Sequence, residues 1–284
     1  MSNLFVLGNG ESRKHIPVEM LKYSGKVWGC NAMYREHELD GLIAVDPMLQ
    51  HEIYRSGYAH KNPTYFRSWD WMPAEHYDMM KEAQCSNLKD PNIREWKFNN
   101  EGHYLSFVIH GQSAVHQNRI TDRWKGDGFE NVYITWLYGQ DKITQLKDIM
   151  NDVYGGGWEG DVIGPEDPGW CSGASAIYIA CKVEKPKTCY LLGMDMYSTT
   201  DYVNNLYKGT VGYVSEDESA LTPNNWVIQK AKCMMRHPDV EFIKVNPMET
   251  NKISTAIPEW ESVPNISYIN MKEFEKKFNL ELDF

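Results

Sequence analysis

The sequence predicts an α/β fold, a single Rossmann-like parallel sheet flanked by helices, and three observations carry that prediction. Compact apolar runs of strand length recur from the N-terminus, segments of helical spacing separate them, and each run ends on Gly, Asn or Asp. The first run, Asn3 to Leu7, reads as a buried strand that breaks into the tight loop Gly8-Asn9-Gly10, with Ser12 as the cap of a short helix. Lys26 to Cys30 (KVWGC) and Leu42 to Val45 (LIAV) are two further strands, ended by Asn31 and Asp46. Three strands in fewer than 50 residues fit parallel pairing through short crossovers.

From 58 to 128 the periodicity fades, apart from a predicted helix around Ala74 to Ala83. This stretch is expected to be a long insertion, a lid or an acceptor-side subdomain within one nucleotide-binding domain spanning 1–284. Val132 to Leu137 (VYITWL) is another strand, and Gln140 to Val153 has helical spacing that Gly155-Gly156-Gly157 stops. Ser172 to Lys182 (SGASAIYIACK) is a helix of small residues that can lie close on a sheet. Thr188 to Leu192 (TCYLL) is a strand running into Gly193-Met194-Asp195. Asn224 to His237 is a helix, Val240 to Val245 (VEFIKV) a strand ending at Asn246-Pro247, and Met271 to Asn279 an amphipathic C-terminal helix. The length of 284 residues suits one sizeable core.

Composition narrows the function classes. No apolar run approaches the roughly 18 residues of a membrane helix, and the N-terminus lacks the basic start of a signal peptide, so a cytoplasmic protein without a membrane partner is expected. Six Cys without a CxxC pair read as reduced thiols, and no metal site is expected from them. A net charge of −10 argues against wide tracking of nucleic acid. The nine His include no HExxH motif.

In an open parallel sheet the ligand sits beyond the carboxyl ends of the strands, near the point where strand order reverses. The polar residues named above lie at such ends and are expected to converge on one rim. Gly8, Asn9, Gly10 and Ser12 are not a GxGxxG motif, but their glycines let backbone approach a phosphate and the following helix offers free N–H groups. Ser172 and Gly173 open a helix and form a second anion cradle. Asp195, with Tyr197 and Tyr202 beyond it, brings a carboxylate and two phenols suited to orienting a ribose, acting as base, or donating to a departing phosphate. Asp46 is the other strand-end carboxylate, suited to the same base role or to holding Mg²⁺.

Taken together, LFVLGNGESRK, VWGCNAMYRE, LIAVDP, CSGASAIYIA and YLLGMDMY with the later Tyr202 resemble, in order and spacing, the bacterial CMP-sialic acid-dependent sialyltransferases. The resemblance extends to a related family of archaeal hydroxymethylpterin diphosphokinases and flagellin-modifying motility accessory factors. It covers the first 50 residues and about 170–247. It implies that Asn9 and Asn31 contact a nucleotide-sugar donor, that Ser172 and Gly173 hold its nucleotide, and that Tyr197 and Tyr202 bind the leaving phosphate. Where the sialyltransferases carry a His base, this chain reads Leu221-Thr222-Pro223-Asn224-Asn225, and where they carry an amide it has Asp46, the form of the diphosphokinase-like relatives.

The expected activity is therefore sugar transfer from a nucleotide-activated donor to a hydroxyl acceptor by direct displacement, with Asp46 or Asp195 as base and no tightly bound cofactor. Three other readings stand beside it: a Mg²⁺-dependent diphosphokinase of a pterin-like alcohol, a glycosyltransferase acting on modified bases of phage DNA in a host cytoplasm, and a non-catalytic nucleotide-binding protein. The acceptor, a glycan, a small molecule or a DNA base, and the oligomeric state are left open by the sequence.

Overall fold

The computed structural model describes residues 2–46, 49–50, 52–53, 56–66, 106–111, 131–136, 142–146, 149, 171–198, 200–210, 212–220, 224–246 and 257–281. Eight strands form one wholly parallel sheet. In chain order they are β1 (Asn3–Leu7), β2 (Gly25–Cys30), β3 (Gly41–Ala44), β4 (Thr64–Phe66), β7 (Ile143–Gln145), β8 (Thr188–Leu192), β9 (Glu241–Asn246) and β10 (Ile266–Asn270). Between β4 and β7, β5 (Ser106–Gly111) and β6 (Asn131–Trp136) pair in parallel as a separate two-stranded sheet.

The main sheet runs β10-β9-β8-β1-β2-β3-β4-β7. The chain steps outward from β1 through β4 to β7 on one side, returns to lay β8 against the other edge of β1, and steps outward again. Strand order thus reverses between β1 and β8, and the cleft beyond their carboxyl ends is the expected ligand position.

Helices α1 (Val18–Leu21), α2 (Tyr58–Lys61), α3 (Ser172–Glu184), α4 (Asn224–Met235) and α5 (Met271–Phe278) accompany the sheet. Alternate strand residues go to opposite faces. Leu4, Val6, Cys189, Leu191 and Phe242 pack under α3 and α4, whereas Phe5, Leu7, Tyr190, Leu192, Ile243 and Val245 pack on the other side with α1 and α5. Burial on both faces is why these strands read as unbroken apolar runs. The α3 run Ala174, Ala176, Ile177 and Ala180 is fully buried, as its small residues foretold.

Three expectations need correcting. The stretch Tyr58 to Phe66 does not belong to an insertion, because α2 packs on the core and β4 pairs with β3, with Ala59 and Phe66 fully buried. Ile143 to Gln145, predicted helical, is instead the edge strand on β4. Its β-branched Ile143 and Thr144 fit a strand, and tertiary pairing overrides local helical spacing. The helix after β1 is only a 3-10 turn, Glu11–Arg13, with no side-chain cap. The helix predicted at Ala74 to Ala83 and the triple glycine at 155–157 lie outside the described residues, as does most of the remaining insertion. Among the described residues no helix is long and apolar enough to cross a membrane. The five described cysteines are free thiols, with Cys171 alone not fully buried.

Candidate functional site

The β1 and β8 loops meet at the switch point with almost no space between them. A Cβ on Gly8 would lie 2.4 Å from the Gly193 carbonyl oxygen, and one on Gly10 would lie 2.3 Å from Asp195 Oδ2. Gly193 itself has φ +60°, a left-handed conformation natural to glycine. The contact is laced by hydrogen bonds. Gly8 N–H donates to the Leu192 carbonyl at 2.7 Å and Gly10 N–H to that of Gly193 at 2.9 Å. Asp195 accepts from Ser12 N–H at 2.9 Å and from Ser12 Oγ at 2.5 Å. Glu11 N–H donates to Asn204 Oδ1 at 2.7 Å.

Of the five amides of the glycine loop, Gly8, Gly10, Glu11 and Ser12 donate within the protein, leaving Asn9 N–H alone without a partner among the described residues. The amides of Gly8, Gly10 and Ser12 thus clamp β1 to β8. Asp195, read as a base, is the clamp's acceptor.

The segment after β8 folds back over the same loops. Leu206 N–H donates to the Asn9 carbonyl at 2.8 Å, and Lys208 pairs with Glu11 at 2.7 Å. Arg13 is buried beneath it, donating Nε to the Gly8 carbonyl at 2.7 Å and Nη2 to the Tyr207 hydroxyl at 3.0 Å. The Tyr207 and Tyr213 rings lie 5.5 Å apart. Burial pushes the Tyr207 phenol up to about 12, and pushes that of Tyr213 higher still, so both keep their protons.

Asn9 and Tyr213 present unfilled valence. Asn9 Nδ2 donates to the Tyr213 hydroxyl at 3.1 Å, Ala32 N–H donates to the same oxygen at 3.2 Å, and Asn9 Oδ1 is buried without a partner among the described residues. The Tyr213 proton is then left to donate. With the amide turned over, the phenol donates to Oδ1 and Nδ2 is left instead. In either orientation the pair keeps at least one hydrogen-bond donor to spare.

Asn31, at the end of β2 with φ 56°, accepts from Ser172 Oγ at 2.8 Å. Asn has the short polar side chain that tolerates this backbone. That bond joins two residues 141 positions apart in sequence, as the convergence of strand ends required. The cap of α3 is Cys171: its sulfur accepts from Ala174 N–H at 3.3 Å, and its own N–H donates to Gln229 at 2.8 Å. Ser172 and Gly173 N–H groups have no partner among the described residues, as expected of a helix start. Lys230 of α4 is buried beside them, its Nζ 3.5 Å from Cys171 Sγ.

Lys244 of β9, on the α3 side of the sheet, is also buried and donates to Asn246 Oδ1 at 2.5 Å. Burial holds its amine below the ordinary lysine range, against the opposing pull of Asp195. Arg13, Lys230 and Lys244 thus place three cations in the interior, with no ion pair to any of them among the described residues. In a chain of net charge −10 that is a pronounced local bias.

Other predicted residues stand apart. Tyr197 and Tyr202 are 38% and 50% exposed, the first donating to Glu259 at 3.3 Å and the second in a bridge with Ser219. Asp46 follows β3, its carbonyl accepting from Gln50 N–H at 2.9 Å. Three inter-strand steps, about 14 Å, separate the ends of β3 and β8, so Asp46 and Asp195 do not share one cation or one proton. Among the described residues no cluster of three His, Cys, Asp or Glu is arranged to hold a metal. Sequence reasoning missed Arg13, Tyr207, Tyr213, Lys230 and Lys244. The aromatic content between β8 and α4 was the one signal for the tyrosines, and lysines embedded in helix α4 or strand β9 carry none.

No family model matches the sequence, and no curated protein matches it. Two similar solved structures are of the sialyltransferase CstII from Campylobacter jejuni. The complex with a substrate analogue, cytidine-5'-monophosphate, is 13% identical with TM-score 0.43, covering 98% of either chain. The complex with CMP-3FNeuAc is 12% identical with TM-score 0.35, covering 86% of this chain and 80% of the other. Both TM-scores lie below 0.5, and the fold assignment above rests on the sheet itself.

Proposed function

We propose that this chain is a glycosyltransferase that moves a sugar from a nucleotide-activated donor to a hydroxyl acceptor, with the donor seated in the cleft beyond β1, β2 and β8. The observation that carries the reading is the gathering, beyond these strands, of hydrogen-bonding groups without partners and buried cations without ion pairs among the described residues. Asn9 with Tyr213, the Ser172 and Gly173 amides, and the ammonium of Lys230 are what an anionic, hydroxyl-rich ligand would satisfy. The sequence motifs that resemble the sialyltransferases lie on the same loops.

In this mechanism the acceptor oxygen attacks the anomeric carbon as the bond from that carbon to the nucleotide's phosphate oxygen breaks. The acceptor's proton goes to a base, and the negative charge of the leaving phosphate is met by donors already in place. Asp46 is the proposed base. Asp195, with both oxygens engaged by Ser12, keeps the loops closed. The phenol donor is proposed to be Tyr213, whose hydroxyl accepts from Asn9 and Ala32 at the ends of β1 and β2, a role the resemblance assigns to Tyr197 and Tyr202.

The test is a thermal-shift screen against CMP, UMP, GDP, ADP and their sugar conjugates, with and without Mg²⁺, followed by release of nucleotide from any conjugate that binds. One nucleotide and its conjugate should raise the Tm and be turned over, and Asp46→Asn should lower turnover about 100-fold or more without shifting the Tm. Undiminished turnover in that variant removes Asp46 as base. Binding without turnover for every acceptor supports the non-catalytic reading, and ATP consumption abolished by chelator supports the diphosphokinase.

A further inference from the structure

Lys230 lies on the buried side of α4 with 3% of its surface exposed, and its ammonium meets no oxygen among the described residues. Its partner among the described residues is the sulfur of Cys171, 3.5 Å away. A lysine ammonium has three protons to donate, and thiol sulfur is a weak acceptor. Burying such a charge unpaired is costly unless a counter-charge arrives.

The surroundings of that ammonium point to what arrives. Gly173, the second residue of α3, lies directly over the lysine: a Cβ there would be 3.2 Å from Lys230 Cε and 3.4 Å from Nζ. The absent side chain leaves the amine beside the open N–H groups of Ser172 and Gly173. The 13 residues of α3 add the positive end of a helix dipole at the same point. Cys171 and Gly173 are partly exposed, so the spot opens outward. Among the described residues, Lys230 acts electrostatically on the thiols of Cys30 and Cys233 and donates to that of Cys171, Arg13 also acts on Cys30, and no carboxylate pairs with the ammonium.

We infer that Lys230, with the Ser172 and Gly173 amides, forms an oxyanion subsite that fixes an anionic group of the substrate at the start of α3. The inference rests on the nucleotide-donor reading above and assigns to that donor an anchoring residue on α4 that no motif in the sequence marks. Two groups share the required chemistry, the phosphate of a nucleotide and the carboxylate of a sugar acid. Lys230 selects for charge, so a neutral analogue of either lacks the contact.

The experiment uses the full chain and its Lys230→Gln and Lys230→Arg variants. Titration calorimetry compares CMP, UMP, GDP and ADP with their nucleosides, a sugar acid with its neutral sugar, and inorganic pyrophosphate alone. The expected result is a loss of about 10- to 100-fold in affinity for the anionic member of one pair in Lys230→Gln. The neutral member is unaffected, and affinity is largely retained in Lys230→Arg. Loss in the phosphate pair identifies the nucleotide as the source, and loss in the other identifies the sugar carboxylate. Nucleotide binding equal in wild type and Lys230→Gln, with the sugar acid also unaffected, overturns the subsite and leaves the donor reading standing. Lys230-dependent pyrophosphate binding without any nucleotide binding supports the subsite and removes the donor reading. A readout on the wild type covers a variant that does not fold. An anion at this spot shields Cys171, so bound pyrophosphate or nucleotide should slow its alkylation by iodoacetamide at least tenfold, and an unchanged rate at saturation overturns the inference.

Discussion

Two loops at the carboxyl edge of the sheet invite the same reading and have opposite physical states. The loop after β1, Gly8 to Ser12, has four of its five amides bonded within the protein and its glycines pressed against β8. The start of α3, Cys171 to Gly173, has two amides without a partner among the described residues and, beneath them, an ammonium that meets only a thiol there. Glycine serves both, in one for contact between backbones and in the other for access to a charge. The loop with the more recognisable motif is a clamp, and the plainer one holds the free valence. A ligand binds where valence is unfilled, so donor counting separates the two where residue type does not.

Substitutions at the glycines test the contrast most directly. Gly8→Ala should be the most disruptive, because its Cβ meets backbone, the Gly193 carbonyl at 2.4 Å, which cannot rotate away. A loss of about 3 kcal/mol is expected, read as a lower midpoint in urea unfolding. A variant as stable as wild type would show that the two loops part easily and that the clamp is not one.

Asp195→Asn should rank second. One oxygen can still accept, but the charge-assisted bonds to Ser12 are lost, costing about 2 kcal/mol. Stability falls before any substrate is added. If turnover collapses while the urea midpoint stays put, Asp195 is a base after all and the comparison fails.

Gly173→Ala should be the mildest for folding. Its Cβ would meet the far end of the Lys230 side chain, 3.2 Å from Cε, which can shift. The Tm should move by no more than that expected of about 0.5 kcal/mol, while nucleotide affinity falls several-fold as the methyl group covers the amine. Unchanged affinity would place the ligand elsewhere on the rim.

The amino-acid sequence by itself determined the strands and their class. Apolar runs at β1, β2, β3, β8 and β9 needed no tertiary information, because a strand covered on both faces must be apolar throughout. The same holds for α5, whose capping box of Asn270 and Glu273 is written in four consecutive residues. Position on the rim was legible too, since polar residues that end strands in one parallel sheet must emerge at one edge, as the Asn31 to Ser172 bond records. The tertiary structure alone decided which of those residues are occupied. Whether Ser12 caps a helix or clamps Asp195, whether Ile143 continues a helix or joins β4, and whether Lys230 faces water or lies buried beneath Gly173 all depend on partners distant in sequence. Hydrogen-bond valence is settled by what comes within about 3 Å, and only the folded chain brings those groups together.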